Sequence, residues 1–201
     1  MRSTYFFTLL AAIPAAMATS IEPRGPGTTA FIPSWEFEPL PGGKVHINGT
    51  VEEALAQLKQ MNPNYEPPNP APRTSTRSVF ASLRRRQQTI ITKDNVICNN
   101  SPPTNHFPVV AEGVKHLRSV KGQPQASGGP ANCGRVSCSY GTAIWFCNDN
   151  THAITLNSFK DIASMTAHIS KFCAPNWTTP FSGQAFHPTA NWNVVIHRSG
   201  C

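Results

Sequence analysis

Carboxylates are scarce in this chain. Ten Asp and Glu stand against 17 Lys and Arg, a formal net charge of +7 over 201 residues. From Gln87 onward the only acids are Asp94, Glu112, Asp149 and Asp161, so few histidines can find an acidic partner. Cysteine is missing from the first 97 residues and first occurs at Cys98. Long apolar runs are missing too. The best, residues 5–13, is too short to span a bilayer, so no transmembrane helix is predicted. There is no Gly-x-Ser-x-Gly elbow, no phosphate loop and no His-Glu-x-x-His helix, which removes the common signatures of serine hydrolases, nucleotide-binding proteins and zinc peptidases.

The apolar run that is present has the layout of an export signal. Arg2 gives the positive start, residues 5–13 the apolar stretch, and Ala16-Met17-Ala18 the small residues before a cut. Residues 1–18 are therefore read as a signal peptide, and the product as secreted and extracellular. Residues 19–86 are read as a pro-segment, mostly disordered. Of the chain's 19 prolines, 11 precede Gln87. The stretch 62–77 combines Pro with Asn, Thr and Ser, and cannot bury enough apolar surface to offset chain entropy. One amphipathic helix is predicted over 50–61, with Thr50 as N-cap and Glu53 closing a capping box. The segment ends in Arg84-Arg85-Arg86, which resembles the sites cut by furin- and kexin-type processing proteases. Cleavage there would leave Gln87 at the new N-terminus.

Residues 87–201 form the predicted mature domain. All six cysteines lie in it: Cys98, Cys133, Cys138, Cys147, Cys173 and Cys201. An even count in a short exported domain reads as three disulfides. Zinc is the rival, since Cys133 and Cys138 have the spacing of one ligand pair. No second pair follows, so neither metal nor cofactor is expected. Six cysteines allow 15 pairings, and spacing alone selects none.

The predicted elements place the domain in the α+β class. A strand ends near Cys98. Val109, Val110, Val114, Leu117 and Val120 recur at helical spacing. The stretch 133–147 reads as a second strand bent at Gly141, with both faces of residues 142–147 apolar. A short third strand is predicted over 153–156. Ser158 then caps a second helix through Cys173, with Asp161 completing its first turn. Residues 184–187 and 193–197 read as one interrupted strand or a late hairpin. The order β-α-β-β-α-β is the ferredoxin-like arrangement. On that layout, the loop 174–183 would have to cover Trp145 or Ile144.

Site candidates are few. Glu112 and His116 stand four apart on the first helix and so share a face. They could act as an acid–base pair in phosphodiester cleavage, or form an ordinary surface pair, which is the favoured reading. His187 and His197 flank the late strand without a third ligand for a metal. Trp177 and Trp192 lie in polar stretches next to loops and could form a binding patch. Asn99 and Asn176 head sequons for N-glycosylation. Lys and Arg are scattered through 87–201 rather than clustered, which argues against nucleic-acid binding.

A signal peptide, a removable segment ending in arginines and a six-cysteine α+β domain together resemble the small cysteine-rich secreted proteins of filamentous fungi. The stretch 138–149, then Ser182-Gly183-Gln184 and Trp192-Asn193-Val194-Val195, is similar to fungal secreted proteins of that kind. The order of elements also resembles killer toxins of ferredoxin-like type. The resemblance covers residues 87–201. It implies a candidate effector, or virulence protein, or a killer-toxin-like protein. Such a protein would be monomeric and non-enzymatic, and would bind a host or competitor protein or membrane component. A small secreted ribonuclease and a wall-associated structural protein are the alternatives. No active residue carries across from the toxins.

Overall fold

The computed structural model describes residues 29–40, 42–66, 91–177 and 179–201. The proposed signal peptide, Arg84, Arg85, Arg86 and Gln87 lie outside them.

The centre of the molecule is a pair of strands whose residues are almost all buried. Strand β7 (Thr142–Asn148) is buried at every position. Its alternation sorts two apolar sets. Ile144 and Phe146 point to the main core, while Ala143, Trp145 and Cys147 share a smaller cluster with Cys133, Cys138 and Val195 on the other face. Strand β10 (Trp192–Arg198) pairs antiparallel with β7 along its full length. On the other side of β7 lies β6 (Asn132–Ser139), also antiparallel.

The stretch 133–147 is thus a hairpin and not one bent strand. Tyr140 and Gly141 both have positive φ, 46° and 72°, the signature of a tight two-residue hairpin turn. Beyond β10 the sheet continues through β9 (Gly183–Phe186) and β4 (Val96–Cys98), both antiparallel. The residues 184–197 therefore make a late hairpin. The expected third strand shrinks to β8 (Ile154–Thr155), which pairs with β5 (Gln125–Ala126) in a separate two-stranded ladder. The α+β class stands. The ferredoxin-like order β-α-β-β-α-β does not describe this arrangement, because from β4 onward the sheet runs β6-β7-β10-β9-β4 with β4 at an edge.

Helices α2 (Phe107–Ser119) and α3 (Phe159–Cys173) pack on the Ile144–Phe146 face. The start of α3 is as the sequence indicates: Ser158 accepts from the backbone of Lys160, and the Asp161 carboxylate accepts from the N–H of Ser158. Gly113 lets α2 lie flat on the sheet. A Cβ there would come within 2.7 Å of Ser137 Oγ and 2.8 Å of Ile144 Cδ1.

The larger correction concerns residues 29–66, which belong to the expected disordered segment yet are folded onto the domain. Strand β1 (Thr29–Phe31) adds to the sheet beside β6, in parallel. The Phe31 ring lies over Gly134, where any side chain would collide with it. Strands β2 (Ser34–Leu40) and β3 (Gly43–Asn48) form an antiparallel pair. Helix α1 (Val51–Met61) carries the predicted capping box of Thr50 and Glu53. It buries Val51, Ala54, Leu55 and Leu58, the i, i+3, i+4, i+7 stripe of a core-facing helix. Proline content misled the sequence reading here. The prolines of 62–77 say nothing about Trp35, Phe37, Ile47 and Leu58, which are 0 to 5% exposed.

All six cysteines pair, as Cys98–Cys173, Cys133–Cys147 and Cys138–Cys201. Cys133 and Cys147 are register partners of the β6–β7 hairpin, which is why they meet. Cys98–Cys173 ties edge strand β4 to the end of α3, and Cys138–Cys201 holds the C-terminal residue to β6.

Candidate functional site

Three elements converge beside β6. From α2 come Glu112 and His116, one turn apart. From β6 come Ser137 and Cys138, 3% and 8% exposed. From α1 comes Glu52, in the first turn of that helix. The Ser137 hydroxyl donates to Glu52 Oε1 at 2.5 Å, and the Cys138 N–H donates to Glu52 Oε2 at 3.0 Å. Each carboxylate oxygen has its own donor. His116 stands alongside, with Nδ1 3.9 Å from Glu52 Oε1 and Nε2 4.0 Å from Glu112 Oε1. These distances suit an ion pair when the ring is protonated and are too long for hydrogen bonds. His116 Nδ1 is buried and makes no hydrogen bond.

The electrostatics of Glu52 follow from its neighbours. Burial, the largest influence, pushes its carboxyl up. His116, the Ser137 hydroxyl and the N–H groups of Cys138 and Glu52 itself outweigh burial and hold it below the usual glutamate range. A cleft of 260 Å³ opens over the site, lined by Glu52, Val109, Glu112, Gly113, His116, Ser139 and Tyr140. Tyr140, at the hairpin turn, is 75% exposed at its rim.

What this set does is hold one carboxylate, that of Glu52, on two donors. It is poorly ordered for nucleophilic attack. A serine nucleophile needs a base that takes its proton, with the carboxylate behind that base. Here the carboxylate sits between Ser137 and His116, and the serine proton is already given to Glu52. Among the described residues no group of three or more His, Cys, Asp and Glu is placed to hold a metal ion.

The other sequence candidates are separated from this cleft. Trp192 is 4% exposed and packs edge-on against Phe146 at 5.7 Å. It is a core residue and cannot anchor a surface patch. Trp177 is 63% exposed, with its ring stacked on Phe107 at 4.4 Å, so the two tryptophans do not make one binding surface. The loop 174–183 contributes Phe181 to the main core. It is not what covers Trp145, whose ring is flanked by the His197 ring at 5.8 Å and by the Arg135 guanidinium at 6.0 Å. The His187 ring stacks instead on Trp192, at 5.1 Å. The two histidines thus lie against rings on opposite faces of the sheet. Asn99 and Asn176 are both exposed.

Sequence reasoning found Glu112 and His116 but missed Glu52, Ser137 and Cys138 N–H as their neighbours. One signal was available: the capping box at Thr50 fixes where α1 starts, and so places Glu52 in its first turn. Nothing in the spacing says that this turn docks on β6, 85 residues away.

Among the described residues no helix is long and apolar enough to cross a membrane. Comparison with protein-family models, with curated proteins and with solved structures gives no match.

Proposed function

We propose that the chain is the precursor of an exported, cysteine-rich α+β protein of the small secreted fungal kind, effector-like or killer-toxin-like. Its mature part, residues 87–201, acts without catalysis by binding a host or competitor protein or membrane component. The observation that carries this reading is where the cross-links fall. Every disulfide lies within 98–201, and none reaches the folded segment 29–66. A processing protease cutting once at Arg84-Arg85-Arg86 would leave that segment held by packing and polar contacts alone. Oxidised cysteines also suit the extracellular space. In this reading the segment is a folded cap, and not the disordered tail that its prolines suggest.

A second reading keeps one specific observation in its favour. Glu112 and His116 share an open cleft, so a ribonuclease-like hydrolase would be centred there. One assay separates the two. The secreted protein is incubated with RNA, alongside His116→Ala. The binding reading expects no hydrolysis that depends on His116. Hydrolysis by the wild type that His116→Ala abolishes would overturn it in favour of the hydrolase.

A further inference from the structure

We propose that the notch beneath Glu52 is a carboxylate-binding site of the mature domain, for which Glu52 is the internal occupant and an acidic side chain of a peptide partner the external one. The inference rests on the reading that the segment 29–66 is separable.

The notch is built for one planar, two-oxygen anion. The Ser137 hydroxyl and the Cys138 N–H each reach a different oxygen of Glu52, the bidentate geometry that suits a carboxylate. Both donors belong to buried residues of a central hairpin, so they are held in place rather than swinging to meet a ligand. Cys138 is further fixed by its bridge to Cys201. His116 Nδ1, buried and without a hydrogen bond, faces the same oxygen as Ser137. When Glu52 leaves, the Ser137 hydroxyl and the Cys138 N–H lose their acceptor together. Buried donors left unpaired are costly, and an incoming carboxylate restores both. Glu112 sets the selectivity. Its negative charge stands 4.0 Å from the far nitrogen of His116. It therefore disfavours more highly charged anions such as phosphate.

The test uses the full chain with Glu52→Ala, which empties the notch in place and requires no cleavage. Sodium acetate and inorganic phosphate are titrated in turn, while NMR follows the Cys138 amide and the His116 ring. Acetate is expected to shift both signals saturably in Glu52→Ala and to leave the wild type unmoved. Adding Ser137→Ala is expected to weaken that acetate binding about tenfold or more, the loss of one hydrogen bond to a charged group. If Glu52→Ala does not fold, Glu52→Gln keeps the shape, and acetate competing with its amide is expected to shift the same two signals. An unmoved Cys138 amide, an equal shift in the wild type, or saturation by phosphate but not acetate would each overturn the proposal. Failure of the processing reading shows elsewhere, as an uncleaved secreted product, and leaves these titrations interpretable.

Discussion

Trp35 stacks on Phe159 with ring centroids 4.1 Å apart and planes 19° from parallel. The first residue belongs to the N-terminal segment and the second opens α3 of the disulfide-bonded domain. Trp35 is completely buried, and its Nε1–H donates to the Gly49 carbonyl at 2.8 Å. The segment is therefore joined to the core through a ring with no exposed surface. Trp35→Ala is expected to destabilise the full chain by about 3–5 kcal/mol, read from chemical denaturation. A loss within about 0.5 kcal/mol, the range of a surface change, would mean that the segment is not docked.

Glu52 makes this docking depend on pH. Its carboxyl is held below the usual glutamate range in the folded chain. The ionised form is then favoured by folding, and the stabilisation is fully present above the unfolded-state pKa. It fades as pH falls through the lower folded-state value. His116 and Glu112 are the titratable groups facing it from α2. Wild type and Glu52→Gln should differ in stability near neutral pH and begin to converge as pH falls below the ordinary glutamate value of about 4.3. Thermal unfolding of both across that range checks this. A gap that widens toward acid would contradict it.

The three bridges should not be equal. In the chain-entropy account a disulfide stabilises more as the loop it closes lengthens. Cys133–Cys147 spans 14 residues, against 63 for Cys138–Cys201 and 75 for Cys98–Cys173. Replacing each pair by serines is expected to cost about 3 kcal/mol for the short loop and over about 4 for the long ones. Denaturant midpoints of the three double variants give the order. If the short bridge proves the most costly, its direct place in the β6–β7 hairpin dominates over loop closure.

Gly113 controls how closely α2 approaches β6. An added methyl would press on Ser137 Oγ and Ile144 Cδ1, each less than 3 Å away. Gly113→Ala is expected to destabilise by about 1–3 kcal/mol, the usual cost of overpacking. This should hold although alanine is the better helix former by about 1 kcal/mol. A stabilised variant would show that α2 can lift off the sheet without loss.

Local chemistry was legible in the sequence, and long-range docking was not. Thr50 with Glu53, and Ser158 with Asp161, announced two helix starts because a cap involves residues three apart. The two apolar faces of 142–147 announced a central strand. The hairpin at Tyr140-Gly141 was hidden, because a tyrosine at positive φ is not a usual turn residue, and Gly141 alone reads as a bend. Cysteine pairing was hidden with it, since Cys133 and Cys147 become neighbours only once that hairpin exists. The folded segment was hidden for another reason. Its first strand, β1, has three residues and a partner about 100 residues away in β6. Of the site, Glu112 and His116 share one helical face and could be read as a pair. Glu52 enters from a separate element that the proline-rich composition had set aside.

The most direct test of the account is the intact mass of the protein secreted by an expressing cell, taken with and without reductant. The account predicts a component that starts at Gln87 and gains six daltons on reduction, two for each of the three bridges. A single product that starts near Thr19, or one whose mass does not change on reduction, would contradict it.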